Sequence, residues 1–341
     1  MINQSDRSFM DRRRSASLLV HHMLLLDGGS TSIFNFVPNP APHSPLLSKL
    51  WTASLSRLSP AAVHKWHKSF LDAGSNIITT NTYQIPPISY YPDLDIRDVI
   101  IDAVGLALNA VSQHGEGAVA LSLGTRNSIV GKREYDCAPL FSIEEYYDFH
   151  KERLEDYQKI LGHLFAEITY LEFETISSYE EAEAILFILA DKNASSIIEA
   201  KKAWITFSVG DASIPRITQL LSKVVKDPNI KYLWGIGFNC VGIDIAGDLA
   251  RALAKMIQEM DLDLRLVLYP DAGKFHEKTT AQFTDNAVPL EDQDVVKWAS
   301  EIGELAQLNG GKLVLGGCCN TDARFIAELR RVSTTGSAVS Q

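Results

Sequence analysis

Long apolar runs are missing from this chain. None approaches the length needed to cross a bilayer, and no secretory signal is recognisable. Cysteine is sparse. Four in 341 residues is no disulfide framework, and free thiols suit a reducing cytoplasm. Basic stripes are absent and the formal charge is −10, so neither nucleic acid nor a membrane is an expected partner. Low-complexity domains and short-period repeats are missing too. What remains is 46% hydrophobic and 22% charged, the balance of a soluble globular protein with ample chain for a core. The two ends are polar. Residues 1–17 are Arg-rich, but Asp6 and Asp11 argue against a targeting presequence, and residues 333–341 read STTGSAVSQ. Both are expected to be disordered tails, flanking one domain over 18–332.

Within that domain, strand-like and helical stretches alternate. The strand-like ones are Leu24 to Leu26, Asn76 to Tyr83, Ala118 to Thr125, Thr169 to Thr175, Ala203 to Gly210, Tyr232 to Cys240, Leu264 to Gly273 and Lys312 to Leu315. Between them run amphipathic stretches with helix signals. Ser59-Pro60 is a start and Gly74 a stop. Others begin near Ile96, Ser142, Tyr179, Ile214 and Gln293. Leu249, Leu253, Ile257 and Met260 fall at helical spacing, and Thr321-Asp322 caps a last helix. The Pro-rich stretch VPNPAPHSPLLSKLWTAS is a loop over the mouth. Near-continuous apolar strands between such helices imply a parallel sheet covered on both faces. Eight units in roughly 300 residues fit a closed (β/α)8 (TIM) barrel. An open, doubly wound sheet is the alternative.

Chemistry-bearing residues gather at strand C-termini: Asp27, Thr80, Thr82, Glu174, Cys240, Asp271, Cys318 and Cys319. In a barrel those ends form the active face. KLVLGGCCNT, at Lys312 to Thr321, is the centre of this pattern. Gly316 and Gly317 let the backbone turn so that Cys318 and Cys319 can converge, with Cys240 as a third ligand. Three thiolates and an open position suit a catalytic zinc. The plainer alternatives are buried apolar thiols or a zinc that only joins two loops. The Gly-Gly turns also resemble barrel phosphate sites, although thiols stand where phosphate would sit. Asp27 suits a substrate ammonium or a loop turn. Glu174, at an apolar strand end, needs a cationic partner. Thr80 is a hydrogen-bonding candidate, and Trp51 with Tyr83 a candidate wall against a cationic methyl donor. Cys137 reads as a spare thiol, and His21, His22, His64, His67 and His276 as surface or packing residues.

These motifs resemble the zinc-dependent homocysteine S-methyltransferases. The matching stretches are LLLDGG (Leu24 to Gly29), LWTA (Leu50 to Ala53), AGSNIITTNTYQ (Ala73 to Gln84), EFETISSYEEAEA around Glu174, GIGFNC (Gly235 to Cys240), YPDAG (Tyr269 to Gly273) and GGCCNT (Gly316 to Thr321). They span roughly residues 20 to 332. The resemblance implies one Zn2+ per chain on Cys240, Cys318 and Cys319, with the homocysteine sulfur as fourth ligand. It implies that Asp27 and Glu174 contact the amino group, that Thr80 lies beside the amino acid, and that Trp51 and Tyr83 stand near the donor. The implied reaction is methyl transfer to homocysteine, giving methionine. S-methylmethionine is the first donor expected and S-adenosylmethionine the second. Three stretches depart from the pattern: DGGSTSIF, LGTRNS and the Asp271 of YPDAG. They leave the donor open, and motivate a second reading as a non-catalytic zinc- or amino-acid-binding barrel. The oligomeric state is not legible in the sequence.

Overall fold

The computed structural model describes residues 23–37, 49–130, 139–191, 198, 200–208, 214–272 and 290–335. Cys137, His21, His22, His276 and the tail 1–17 lie outside them. Eight strands are described: β1 Leu24–Leu25, β2 Ile77–Thr79, β3 Ala118–Gly124, β4 Tyr170–Ile176, β5 Lys202–Phe207, β6 Gly235–Asn239, β7 Arg265–Tyr269 and β8 Leu313–Leu315. Each pairs in parallel with its neighbour from β2 round to β8, and β8 pairs with β1. Helices lie between the strands, and the architecture is the expected (β/α)8 barrel.

Among the described residues β1 and β2 share no ladder, and individual groups stitch that seam. Asn76 donates its N–H to the Leu25 carbonyl at 2.7 Å, and its Oδ1 accepts from the Leu25 N–H at 2.8 Å. Asp27 Oδ2 accepts from the Thr79 N–H at 2.7 Å. β2 is shorter than the apolar run suggests, because the Thr80 and Thr82 hydroxyls bond to each other and to the β3 backbone instead of extending the ladder.

The helices follow their end signals. Pro60–Ala73 ends at Gly74 with φ 103°, a left-handed stop that glycine adopts without strain. Ser59 precedes it without a side-chain cap bond, so Pro60 alone marks the start. Ile143–Leu161 opens on a full capping box, Ser142 with Glu145. Ala323–Thr335 opens with Asp322 Oδ1 accepting from the Arg324 N–H at 2.9 Å. It runs into the span expected to be tail. The helix Asp292–Gly303 continues as a tighter turn to Gly311, kinked at Leu308 to Gly310.

Period-two alternation turns one residue set inward and the next toward the helices. The outward set packs with the helices into the main hydrophobic layer. The inward set closes one end of the barrel. Tyr170, Trp204 and Trp234 stack with centroids 5.0 to 5.9 Å apart, and the Arg265 guanidinium lies 5.0 Å over Trp234. With that end filled by aromatic rings, the open space lies toward the strand C-termini.

Candidate functional site

An open cavity occupies that end of the barrel. Its walls bring together Cys240, Cys318, Cys319, Asp27, Thr80, Glu174, Trp51 and Tyr83. Asp271 is buried outside these walls, and its carbonyl accepts from Trp298 Nε1 at 3.1 Å.

The three sulfurs lie within 4.8 Å of one another, and Cys240 Sγ is 3.8 Å from Cys319 Sγ. Tetrahedral zinc with Zn–S bonds of about 2.3 Å has ligand edges of about 3.8 Å, so the trio fits the ion. Mutual hydrogen bonds to Cys318 and Cys319, followed by burial, push the Cys240 thiol well up. At Cys318 the bond with Cys240 lowers the proton affinity, but Cys319 and burial outweigh it and the thiol is raised. Such thiols hold their protons until a cation displaces them.

The loop bearing the pair is pinned from both sides. Gly317 N–H donates to the Asp27 carbonyl at 3.0 Å, Cys318 N–H to the Pro270 carbonyl at 2.9 Å, and Ala272 N–H to the Cys319 carbonyl at 3.1 Å. The glycines before the thiols serve close packing and not, as the sequence suggests, backbone freedom. Neither has a positive φ. A Cβ at Gly317 would meet Thr321 Oγ1 at 2.3 Å, and one at Gly316 would meet Leu26 Cβ at 2.6 Å.

Backbone strain gathers on this rim. Trp51, Thr175, Cys240 and Asn320 are non-glycine residues with φ between 50° and 63°, a conformation that surrounding contacts must hold. Asn239 supplies such contacts. Its Oδ1 accepts from the Thr175 N–H at 2.9 Å, and its Nδ2 donates to Thr175 Oγ1 at 2.8 Å. Thr175 follows Glu174 directly, so this clamp sets how the Glu174 carboxylate enters the cavity. Glu174 Oε1 also accepts from the Ser122 hydroxyl. Asn239 and Ser122 were invisible as site residues in the sequence, since each looks like an ordinary polar strand residue.

Three carboxylates face the cavity, one more than the sequence reading singled out. The third is Glu172, which the same alternation that turns Glu174 inward would have revealed. Burial raises Asp27 well above the usual carboxylate range, with Glu172 adding to it. Burial and then Glu172 do the same to Glu174. Glu172 is pushed up to about 7, chiefly by burial. Among the described residues no Lys, Arg or His lines the cavity.

Thr80 is spent on structure: its Oγ1 accepts from the Ser122 N–H at 3.1 Å and shares a 2.7 Å bond with Thr82. Trp51 and Tyr83 meet edge to face, with centroids 6.1 Å apart, and form one aromatic side of the cavity.

The chain is similar to known proteins. A family model described as homocysteine S-methyltransferase matches residues 24–333. Homocysteine S-methyltransferase 2 of Zea mays is 25% identical over 90% of this chain and 89% of its own length. Homocysteine S-methyltransferase 1 of Saccharomyces cerevisiae is 27% identical over 94% and 98%. Among solved structures, the homocysteine methyltransferase MmuM of Escherichia coli in its metallated form aligns with a TM-score of 0.62, 22% identity, 91% coverage of this chain and 96% of that one. That likeness shows a shared fold. The family match runs through every strand that carries a thiol or a cavity carboxylate, and on that ground the chain belongs to the homocysteine S-methyltransferase family.

Proposed function

We propose that the chain transfers a methyl group from a sulfonium donor to the thiol of homocysteine, forming methionine. S-methylmethionine is the first donor to test and S-adenosylmethionine the second. The observation that carries this reading is the meeting of three thiols and three carboxylates in one cavity without a basic side chain among its described walls. Such a site takes its positive charge from what binds there.

Cys240, Cys318 and Cys319 would hold one zinc ion. Bound there, zinc would keep the acceptor sulfur deprotonated near neutral pH while leaving it nucleophilic. Asp27 and Glu174 would accept hydrogen bonds from the amino group and so fix the acceptor's orientation. Ser122 and the Asn239 clamp keep Glu174 in place. Trp51 and Tyr83 would present a ring face to the cationic donor. In the transfer, a bond forms between the acceptor sulfur and the methyl carbon as the bond from that carbon to the donor sulfur breaks. The donor sulfur keeps the electron pair and becomes a neutral thioether. The thiol proton leaves as the acceptor binds. A sulfonium is already an activated leaving group, so placing the two sulfurs in line does most of the work.

The test is methionine formation from homocysteine by reduced, zinc-loaded protein, with S-methylmethionine, S-adenosylmethionine and betaine in parallel. Turnover with a sulfonium is expected. Zinc-bound protein inert with all three donors would leave the non-catalytic binding reading.

A further inference from the structure

Glu172 precedes Glu174 by two residues on β4, so both point into the barrel. It is 1% exposed yet lines the cavity, and its Oε2 makes no hydrogen bond. Thr79, Tyr269 and Trp204 turn polar groups toward it, and Trp204 is its register partner on β5. None of these is a cation. The charged groups that act on it or that it acts on are Asp27, Glu174 and Cys318. A buried carboxylate among others of its sign stays ionised only when a counter-charge arrives, and otherwise takes up a proton.

We propose that Glu172 is a third carboxylate of the amine subsite, binding the ammonium group of the amino-acid acceptor together with Asp27 and Glu174. This rests on the homocysteine reading above. The count of donors and acceptors supports it. A primary ammonium has three N–H donors. Asp27 already gives Oδ2 to the Thr79 amide, and Glu174 gives Oε1 to Ser122. Asp27 is also bonded by the Thr79 side chain and its own backbone. A carboxylate has about four acceptor positions, so both keep capacity for an N–H, and the unbonded Oε2 of Glu172 is the third acceptor. A sulfonium or a quaternary ammonium has no N–H to donate, so an unbonded buried oxygen is matched by the amine and not by the donor's reacting centre. The extra acid makes the subsite select for a free amino group more strongly than two carboxylates would.

Calorimetry on the full chain, reduced and zinc-loaded, can compare homocysteine with 4-mercaptobutanoate, which lacks only the amino group. Wild-type protein is expected to bind homocysteine more tightly. Glu172→Gln keeps the shape and removes the charge. It is expected to weaken homocysteine about tenfold or more, as loss of a charged hydrogen bond does, and to leave 4-mercaptobutanoate unchanged. Glu172→Asp is expected to recover part of the loss, and carries the comparison if the Gln variant does not fold. Equal weakening of both ligands would mark Glu172 as structural and overturn the proposal, and so would unchanged homocysteine binding. Wild-type protein that binds neither ligand would overturn the acceptor reading itself, with Glu172's role falling as a consequence.

Discussion

At the scale of single residues, the thiols and buried histidines make different demands on protons. Cys318 belongs to a trio whose crowding favours the protonated forms, so only a cation of high thiolate affinity can draw the three together as ligands. Cys318→Ser replaces a soft thiolate with a hydroxyl that does not ionise near neutral pH. Zinc content by elemental analysis is expected to fall from one per chain to near zero, with methionine formation lost and the circular dichroism spectrum kept. A fully active variant would sink the metal reading. His67 poses a separate question. It is fully buried on the helix Pro60–Ala73, stacked 4.5 Å from Trp66, with neither ring nitrogen bonded. Burial lowers its pKa from 6.5 to about 3. Across that window the unfolded chain binds the proton and the folded one does not, so stability contributed by His67 is full above 6.5 and lost as pH falls toward 3. His67→Leu should remove about 1.4 kcal/mol per pH unit from the slope of stability against pH within that window. Urea unfolding of both proteins across it checks the difference, and parallel slopes would refute the assignment.

At the scale of elements, the weak place is the seam between β1 and β2. Asn76 bonds Leu25 through both its amide N–H and its side-chain oxygen. Asn76→Ala leaves the Leu25 N–H unpaired and is expected to cost about 1–3 kcal/mol, read as a lower urea midpoint with an unchanged slope. The same seam brings Asp27 to the cavity, so Asp27→Asn, which can still accept from Thr79, should keep stability better than Asp27→Ala. Gly29 ties the seam to the thiols. A Cβ there would lie 2.3 Å from the Cys318 carbonyl. Gly29→Ala should therefore displace that loop and weaken zinc binding, measured by competition with a chelator, more than it lowers stability. None of these seam contacts was legible in the sequence, because Asn76 reads only as the start of a strand and Gly29 as part of a turn, and their partners are remote in the chain. The barrel itself was legible, since apolar runs separated by capped amphipathic helices specify local structure and neighbour pairing together. The thiol site was legible for a related reason: strand ends point to one face in this architecture, so Cys240, Cys318 and Cys319 had to meet. Glu172 lies two residues before the strand's last carboxylate, and only the period-two alternation of β4 turns it inward. The strand lengths were overestimated where side-chain hydroxyls, as at Thr80 and Thr82, compete with the ladder.

At the scale of the whole molecule, stability and chemistry occupy opposite ends of one barrel. The aromatic plug of Tyr170, Trp204 and Trp234 closes one end, while Cys240, Cys318, Cys319 and the cavity carboxylates sit toward the other. The active end is acidic in an already acidic chain, which favours cationic ligands and penalises the empty pocket. A metal held by the three thiols would therefore join loops from β6 and β8 that are otherwise held by hydrogen bonds to their neighbours. A ligand that binds only the folded state stabilises it by about 2.7 kcal/mol at a free concentration one hundred times its dissociation constant. For a chain of 341 residues that corresponds to about 4 °C in the melting midpoint. Chelation in reducing buffer should lower the midpoint by that order, and returning zinc should restore it. The sign with pH follows from the raised thiols. Binding must release their protons, so affinity falls as pH falls and the zinc-dependent shift shrinks. In Cys318→Ser the midpoint should be insensitive to zinc at any pH. A wild-type midpoint that ignores both chelator and pH would mean that the three thiols are packed side chains and the catalytic metal reading is wrong.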